Sequence, residues 1–198
     1  MIIVSQVLSR ALPLLASRAF LGCRQFSALP PRIPAFAQVA DEVLHAVETG
    51  RPVVALESTL LTHGLPPDRA LTVGRAVERT VREAGAVPAT IAIFGGKIHI
   101  GLEGSELDYL IDGASRGVAR KASLRDLPFA LTKTKGFVYG TTVAATAFAA
   151  HQAGIGVFAT GGIGGVHRGG QTSLDISSDL TALANIPVAV VSAGVKSI

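Results

Sequence analysis

Two patterns of apolar residues alternate along this chain. The first is a continuous apolar run of strand length, found at 52–61, 87–94, 156–160 and 188–194. The second is a set of apolar residues on one helical face, or an alanine-rich stretch, found at 39–47, 66–84, 105–111, 141–152 and 178–185. Because continuous apolar strands are buried on both faces, the alternation predicts a three-layer α/β/α fold with a mainly parallel central sheet.

Turn residues and caps add detail to this prediction. Gly95-Gly96 separates an apolar run from KIHIGL at 97–102, which predicts a hairpin closed by a two-residue turn. Ser105 is the N-cap candidate for the helix that follows it, and 117–123 is a further strand candidate. Only four residues follow the last apolar run, which we expect to be a buried strand. That run therefore lies either at a sheet edge or in a chain shortened from a longer product.

The composition indicates a folded chain with an aliphatic core. Apolar residues make up 48% of the 198 residues and charged residues 16%, which excludes an intrinsically disordered chain. Tryptophan is absent and only 5% of the residues are aromatic, so Val, Ile, Leu and Ala must fill the core.

The formal charge of +4 is confined to the N-terminal segment. Of the 18 basic residues, Arg10, Arg18, Arg24 and Arg32 precede the first acidic residue, Asp41. The rest of the chain has as many acidic as basic side chains. A neutral body has no overall attraction for a polyanion, so we expect no nucleic-acid partner.

Residues 1–34 have the composition of a mitochondrial transit peptide, rich in Arg, Ser, Leu and Ala and free of acidic residues. Arg10 and Arg18 interrupt the apolar run before it forms the core of a secretory signal, and they exclude a transmembrane span. We therefore predict a mitochondrial protein with no membrane partner, whose first segment is removed or disordered. The alternative is a basic N-terminus without function. The single cysteine, Cys23, lies here, which excludes disulfides, thiolate zinc sites and cysteine nucleophiles from the predicted domain at 38–198.

Charged residues beside apolar runs are candidates for catalysis. Glu57 interrupts the run at 52–61, where a carboxylate must be paired or protonated. It is either a member of a structural ion pair or a general acid with a raised pKa. Lys196 follows the last run, and a lysine that enters an apolar pocket becomes a nucleophile toward a carbonyl carbon. The alternative is a solvated lysine near the chain end, and Lys121 is open to the same two interpretations.

The stretch 161–170 contains six glycines together with His167 and Arg168. Glycines allow the backbone to approach a ligand closely, and its N–H groups can surround an anion. The stretch matches neither the dinucleotide-binding nor the P-loop glycine pattern, so a nucleotide-binding interpretation is weak. A loop that closes over a small anionic substrate fits better, and a mobile surface loop is the alternative.

Hydroxyl and carboxylate groups provide further candidates. The motif GTTV at 140–143 begins a helix whose free N–H groups suit a phosphate, and the alternative is simple N-capping by Thr141. Asp175 and Asp179 follow the glycine-rich stretch, and their oxygens suit Mg²⁺ or Mn²⁺. Asp179 is equally explained as an acidic residue in the first turn of a helix.

Seven segments, taken in order, resemble the pseudouridine-5′-phosphate glycosidase family, also known from indigoidine-synthase-A-like proteins. The segments are VALESTLLTHGLP (54–66), GAVPATIAI (85–93), ARKASLRDLP (119–128), GTTVAAT (140–146), VFATGGIGGVHRG (157–169), LDISSDLTALA (174–184) and VVSAGVKSI (190–198). The resemblance runs from about Asp41 to the last residue. The combination of TGGIGGVHRG with AGVKSI is highly specific.

The resemblance implies an activity, the reversible cleavage of the C–C glycosidic bond of pseudouridine 5′-phosphate to uracil and ribose 5-phosphate. It also implies a sheet fold, Mn²⁺ as cofactor and a homotrimer if the protein is complete. By motif, Lys196 is implied as the nucleophile that forms a Schiff base with ribose C1′, and Glu57 as the proton donor. Asp175 is implied as the metal ligand. The implied substrate-binding residues are Lys121, Val143, Ser177, Ser178 and Asp179.

Two features depart from the family. The segment 135–139 before GTTV is slightly longer than in the family, and family members continue well beyond the Lys-Ser-Ile segment. The domain at 38–198 is therefore expected to be incomplete at its C-terminus. Three functions are open: an active glycosidase, a truncated and catalytically impaired form that at most binds or assembles, and a small module that binds phosphorylated metabolites.

Overall fold

The computed structural model describes residues 33–196. The predicted transit peptide at 1–34, including Cys23, lies almost wholly outside the described residues, as do Ser197 and Ile198. None of the helices in the described part is long and apolar enough to cross a bilayer.

Strands and helices alternate along the described part of the chain. The strands are β1 (Ala37–Val39), β2 (Val53–Leu56), β3 (Val87–Phe94), β4 (Lys97–Ile100), β5 (Ala119–Ala122), β6 (Val138–Thr141), β7 (Val157–Thr160) and β8 (Ala189–Ser192). The helices are α1 (Asp41–Glu48), α2 (Pro67–Glu83), α3 (Gly104–Ser115), α4 (Leu127–Thr132), α5 (Val143–Gln152), α6 (Gly170–Ser173) and α7 (Ser178–Asn185). A π-helical turn, Leu60–Gly64, follows β2, and a 3₁₀ turn, Leu124–Asp126, precedes α4.

The strands form one mixed sheet with the order β1-β4-β3-β2-β7-β8, to which β6 is added beside β3 and β5 beside β6. Within residues 33–196, five strand pairs are parallel and two, β3–β4 and β3–β6, are antiparallel. The first half of β3 pairs with β2, and its second half pairs with β4 and β6. The prediction of a mainly parallel sheet is confirmed.

Helices cover both faces of this sheet. In β2, Val54 and Leu56 belong to a buried cluster with Val81 of α2, whereas Ala55 belongs to a second cluster with Ala46 of α1 and Ala145 of α5. Because successive side chains of a strand point to opposite faces, the two clusters mark a helical layer on each side of the sheet. The three-layer α/β/α prediction is therefore confirmed.

The β3–β4 hairpin matches its prediction. Phe94 pairs with Lys97, and Gly95 and Gly96 have φ values of 60° and 76°. A two-residue turn that continues the right-handed twist of its strands needs positive φ at both positions, which glycine adopts without strain.

Two element boundaries differ from the sequence prediction. The run at 52–61 is not one strand, because β2 ends at Leu56 and Ser58 leaves the ladder, where its hydroxyl donates to the Ile91 carbonyl over 2.5 Å. Ser105 is not the N-cap of α3. That position belongs to Glu103, whose backbone N–H donates to the Glu106 carboxylate over 3.0 Å in a reciprocal capping box.

Two strands differ as well. The sequence pattern missed β6, because Val138–Thr141 is short and contains a glycine, although all four of its residues are buried. The last strand is not buried as expected: β8 lies at the sheet edge, pairs with β7, and its residues are half-buried or exposed. Apolar side chains on α7 and around it are also exposed: Leu174, Ile176, Leu180, Leu183 and Val195.

Candidate active site

Three parallel strands bring the predicted catalytic residues to one edge of the sheet. Leu56 at the end of β2 is in register with Ala159 of β7, and Thr160 at the end of β7 is in register with Ser192 of β8. Glu57, the glycine-rich stretch and the segment leading to Lys196 therefore leave the sheet at the same edge. In α/β sheets with parallel strands, this carboxyl edge is where ligands bind.

Glu57 is partly buried just beyond β2 and accepts a hydrogen bond from the Thr160 hydroxyl. Burial raises the pKa of Glu57 above its ordinary value. The Thr160 hydrogen bond opposes this rise, as do the charges of Lys196 and Lys121, whereas the charge of Asp179 adds to it. No ion pair of Glu57 is found in the described part of the chain, so the structural ion pair is not seen there and the raised pKa agrees with the general-acid interpretation.

Glu57 and Thr160 also line a small open cleft. Its other walls are mostly apolar, with Leu56, Leu60 and Val77 among them. An apolar wall on one side of the carboxyl group is the physical source of its desolvation.

Lys196 is held in place through its backbone. Its N–H donates to the Ile163 carbonyl over 2.8 Å, and the Ile163 N–H donates to the Gly194 carbonyl over 3.1 Å. A Cβ at Gly162 would lie 3.2 Å from Lys196 Cγ, so the missing side chain leaves room for the lysine stem. The side chain is exposed, and the apolar pocket that would lower its pKa is not formed around it in residues 33–196.

Lys121 and Val143 lie on neighbouring elements. Lys121 is exposed near the end of β5, in register with Gly140 of β6. Val143 is the first residue of α5, and its side chain is only 1% exposed. Any contact of Val143 with a substrate therefore has to involve its backbone.

The Asp179 carboxylate connects the glycine-rich stretch to the start of α5. It is buried, and it accepts hydrogen bonds from Ala144 N at 3.0 Å and from Gly164 N at 2.9 Å. The helix start predicted to be free for a phosphate is thus partly occupied by Asp179. Thr141 is not its N-cap, because Thr141 ends β6 and Thr142 takes that position. The buried Thr142 Oγ1 has no hydrogen-bond partner among the described residues.

Ser177 and Ser178 begin α7 beside this connection. Ser177 is the N-cap, and its hydroxyl accepts from Asp179 N at 3.2 Å. Ser177 N also donates to the Gly165 carbonyl over 3.0 Å. Ser178 is half-buried in the first turn. Asp179 does lie in the first turn of a helix, as one interpretation held. Its carboxylate, however, accepts hydrogen bonds from two other segments, the glycine-rich stretch and the start of α5.

Asp175 faces His167 rather than a second carboxylate. Its Oδ2 lies 3.0 Å from His167 Nδ1, and its backbone carbonyl accepts from His167 N at 3.1 Å. The Nδ1 contact has ion-pair distance without hydrogen-bond geometry, so this buried nitrogen has no hydrogen-bond partner in the described part. Residues 33–196 contain no cluster of three or more His, Asp or Glu side chains that could hold a metal.

The sequence pattern missed one residue of this site, Thr160. The residue is recognisable as the end of the VFAT strand, but its contact with Glu57 depends on β7 lying next to β2. Local patterns do not determine strand order, so no signal in the segment itself could have identified it.

Comparison with known proteins gives a consistent result. The family model described as Indigoidine synthase A like protein matches residues 42–198. Pseudouridine-5′-phosphate glycosidase of Caldanaerobacter subterraneus subsp. tengcongensis is 55% identical over 163 residues, which cover 82% of this chain and 52% of that protein. The enzyme of the same name from Saccharopolyspora erythraea is 54% identical, over 81% of this chain and 51% of that protein.

Two solved structures share the fold. The prealnumycin C-glycosynthase AlnA, crystallised in complex with ribulose 5-phosphate, has a TM-score of 0.70 and 46% identity over 83% of this chain and 52% of its own. An indigoidine synthase A-like protein from Thermotoga maritima has a TM-score of 0.68 and 35% identity over 81% of this chain and 50% of its own. The chain spans about half the length of these relatives. It belongs to the indigoidine synthase A-like protein family.

Proposed function

We propose that this protein cleaves the C–C glycosidic bond of pseudouridine 5′-phosphate, reversibly giving uracil and ribose 5-phosphate. The two relatives described above carry the name of that glycosidase, and AlnA, a C-glycosynthase, was crystallised with a pentose phosphate. The observation that carries the proposal is the register of β2, β7 and β8, together with the bridge between Ile163 and Val195, which brings Glu57 and the segment of Lys196 to the same carboxyl edge of the sheet.

The two residues divide the chemistry between them. Glu57 donates its proton to the ribose ring oxygen as the bond from that oxygen to C1′ breaks. Lys196 Nζ, as the free amine, adds to C1′, and the resulting ammonium gives a proton to the Glu57 carboxylate. The nitrogen lone pair then expels the uracil carbon while the C1′–N double bond forms. The uracil carbon takes up a proton, and water hydrolyses the Schiff base to ribose 5-phosphate and the free lysine.

Asp175 and His167 supply a donor pair that fits Mn²⁺. The buried Nδ1 of His167 has no hydrogen-bond partner in the described part and faces an exposed carboxylate, and Mn²⁺ accepts both oxygen and imidazole nitrogen. With two protein ligands, the remaining positions would be filled by water. A bound Mn²⁺ would supply positive charge and ordered water near the pyrimidine.

The direct test is product formation and covalent trapping on the full chain. With uracil, ribose 5-phosphate and Mn²⁺ present, we expect pseudouridine 5′-phosphate to accumulate. With ribose 5-phosphate and borohydride, we expect an adduct that peptide mapping assigns to Lys196 and that Lys196→Ala abolishes. Lys97→Ala, at the exposed start of β4, is the matched control and should leave the adduct unchanged. An adduct that persists in Lys196→Ala would refute the assignment.

A second function, that of an impaired form acting as a binding or assembly subunit, is favoured by one observation. Lys196 is exposed, and the apolar side chains on α7 and around it are uncovered among residues 33–196. If the full chain forms no product alone but co-purifies with a full-length relative in a mixed oligomer, the assembly role holds. Product formed by the full chain alone would exclude it.

Assembly and location complete the proposal. The proposed assembly is a homotrimer. The proposed location is the mitochondrion, because the first 40 residues contain four arginines and no acidic residue. Light scattering after gel filtration measures the trimer. Import into isolated mitochondria, followed by N-terminal sequencing, shows whether and where residues 1–34 are removed.

A further inference from the structure

A buried serine that the mechanism above does not use lies just beyond the end of β2. Ser58 is 0% exposed, and its hydroxyl donates to the Ile91 carbonyl over 2.5 Å and accepts from Thr141 N at 3.0 Å. Ile91 belongs to β3, and Thr141 is the last residue of β6. Because Ser58 follows β2, one side-chain oxygen connects three neighbouring strands at this point.

The pairing of β3 explains why a side chain is needed here. β3 pairs with β2 as far as Thr90 and with β6 from Ala92 onward, so the strand passes from one neighbour to the other at Ile91. A buried carbonyl at such a junction costs free energy unless it accepts hydrogen bonds. The hydroxyls of Ser58 and Thr141 both donate to it, over 2.5 Å and 2.7 Å.

The chain around Ser58 also packs closely on β6. The Thr59 hydroxyl donates to the Gly140 carbonyl over 3.3 Å. A Cβ at Gly140 would lie 3.0 Å from the Ser58 carbonyl oxygen and 3.1 Å from Thr59 Cα. The absence of a side chain at Gly140 therefore lets the chain at Ser58 approach β6, and buried hydrogen bonds then hold it there.

Glu57 directly precedes Ser58, so these contacts fix the backbone of the proton donor. On the side of β7, the Glu57 carboxyl group accepts from the Thr160 hydroxyl. A general acid has to lie within hydrogen-bond reach of the atom that it protonates. Because a misplacement of about 1 Å can slow a reaction about 100-fold, anchoring the backbone next to the carboxyl group affects the rate.

The same hydroxyl is connected to the start of α5. Thr141, whose N–H donates to Ser58, is followed by Thr142, the N-cap of α5, and by Val143 in its first turn. The position of Glu57 relative to this helix start therefore depends on Ser58. We propose that Ser58 is a positioning residue of the reaction, whose hydroxyl keeps the Glu57 carboxyl group in a fixed place relative to the first turn of α5. The proposal rests on the proposed function for the reaction itself.

The first test is a split between kcat and KM. Ser58→Ala removes the hydroxyl, and with pseudouridine 5′-phosphate and Mn²⁺ it should lower kcat about 10–100-fold and change KM little, because a displaced proton donor slows the chemical step. Thr146→Val is the matched control, since Thr146 is equally buried and donates to Thr141 Oγ1 over 2.9 Å. It should lower the melting temperature as Ser58→Ala does and leave kcat unchanged. Equal losses of kcat in both variants, or a change in KM alone, would overturn the proposal.

The titration of Glu57 gives a second readout that needs no turnover. Burial is the largest cause of the raised pKa of Glu57, and a carboxyl group released from its place meets more water. In ¹³C spectra of the full chain, the pKa of Glu57 should therefore fall toward its ordinary value in Ser58→Ala and stay unchanged in Thr146→Val. Ser58→Cys keeps a weaker donor and acceptor, so it should lower this pKa less, and it provides the test if Ser58→Ala does not fold.

The two readouts separate this proposal from the proposed function. An unchanged Glu57 pKa in a folded Ser58 variant would overturn the positioning role. If the Glu57 pKa falls as expected but the unmutated chain gives no glycosidase product, the positioning of Glu57 by Ser58 stands and the proposed function fails.

Discussion

Thr160 and Glu57 are 103 residues apart in sequence, and the hydroxyl of the first donates a hydrogen bond to the carboxyl group of the second. The bond crosses from the end of β7 to the end of β2. The hydrogen bond lowers the pKa of Glu57, because a donated hydrogen bond favours the ionised carboxylate, whereas burial raises that pKa. Burial and this hydrogen bond are therefore the two largest effects on the pKa of Glu57, and they oppose each other.

Thr160→Val removes the donor and keeps the shape of the side chain. We expect the pKa of Glu57 to rise further, because burial then acts with less opposition. The carboxyl resonance of Glu57 in ¹³C NMR measures this directly, and the alkaline limb of the pH–rate profile should move to higher pH. Thr80→Val, near the end of α2, is the control that should leave both unchanged. A lower Glu57 pKa in Thr160→Val would contradict the assignment.

Glu57→Gln should abolish turnover and stabilise the fold at neutral pH. Since burial raises the folded-state pKa of Glu57 above the unfolded value, the fold has its full stability below the unfolded pKa. That contribution is lost as the pH rises through the folded pKa. A neutral glutamine avoids the loss, so urea unfolding should show a gain at pH 8 that vanishes near pH 3, below the unfolded pKa of about 4.3.

Glu78 provides a matched control for Glu57. It lies on α2, burial raises its pKa, and Thr90 Oγ1 donates to it over 2.5 Å. Glu78→Gln should give the same pH-dependent stability gain and retain turnover. Equal loss of activity in both variants would mean that Glu57 acts through the fold rather than as a proton donor.

Asp179→Asn tests the connection between the glycine-rich stretch and α5. The amide keeps one acceptor, and its NH₂ group then faces a backbone N–H that the carboxylate had satisfied. We expect a loss of about 1.5–3 kcal/mol in the free energy of unfolding, the range for a hydrogen bond to a charged group. Amide exchange at Gly164 and Ala144 should accelerate. Asp68→Asn, exposed in the first turn of α2, should change the stability little.

Gly164 and Gly165 are adjacent, but only the first is closely packed. A Cβ at Gly164 would lie 2.5 Å from Ser177 Oγ and 2.9 Å from Asp179 Oδ2, whereas a Cβ at Gly165 would meet nothing within 4 Å. Gly164→Ala should cost about 1–3 kcal/mol of stability, as overpacking does, and Gly165→Ala should cost much less. Equal thermal melting of the two variants would contradict the packing seen here.

Asp175→Asn tests the metal proposal. Removing the charged ligand should weaken Mn²⁺ binding by tenfold or more, as measured by electron paramagnetic resonance of free Mn²⁺. His167→Gln should weaken it to a smaller degree. Binding unchanged in both variants would mean that these two residues are not the site.

The sequence predicted the layers of the fold well because periodicity and glycine turns are local properties. It placed Glu57 inside a strand, since nothing in VALESTLL shows that Ser58 turns away to reach β3. It assigned α7 correctly, and it could not show that Asp179 reaches the start of α5, because that contact joins residues 35 apart. The expected burial of β8 was wrong, although an edge position was one of the two alternatives given for this run, because apolar composition alone does not distinguish a central strand from an edge strand.

The edge position of β8 has a thermodynamic consequence. Water in contact with its half-buried side chains, and with the exposed Leu180 and Leu183, is released when any apolar surface covers them. Association at this edge should therefore show a negative heat-capacity change, and it should weaken on cooling. A strand edge of this kind also offers unpaired backbone groups to a further strand. Calorimetry at several temperatures would thus distinguish assembly through this edge from assembly through charged surface residues.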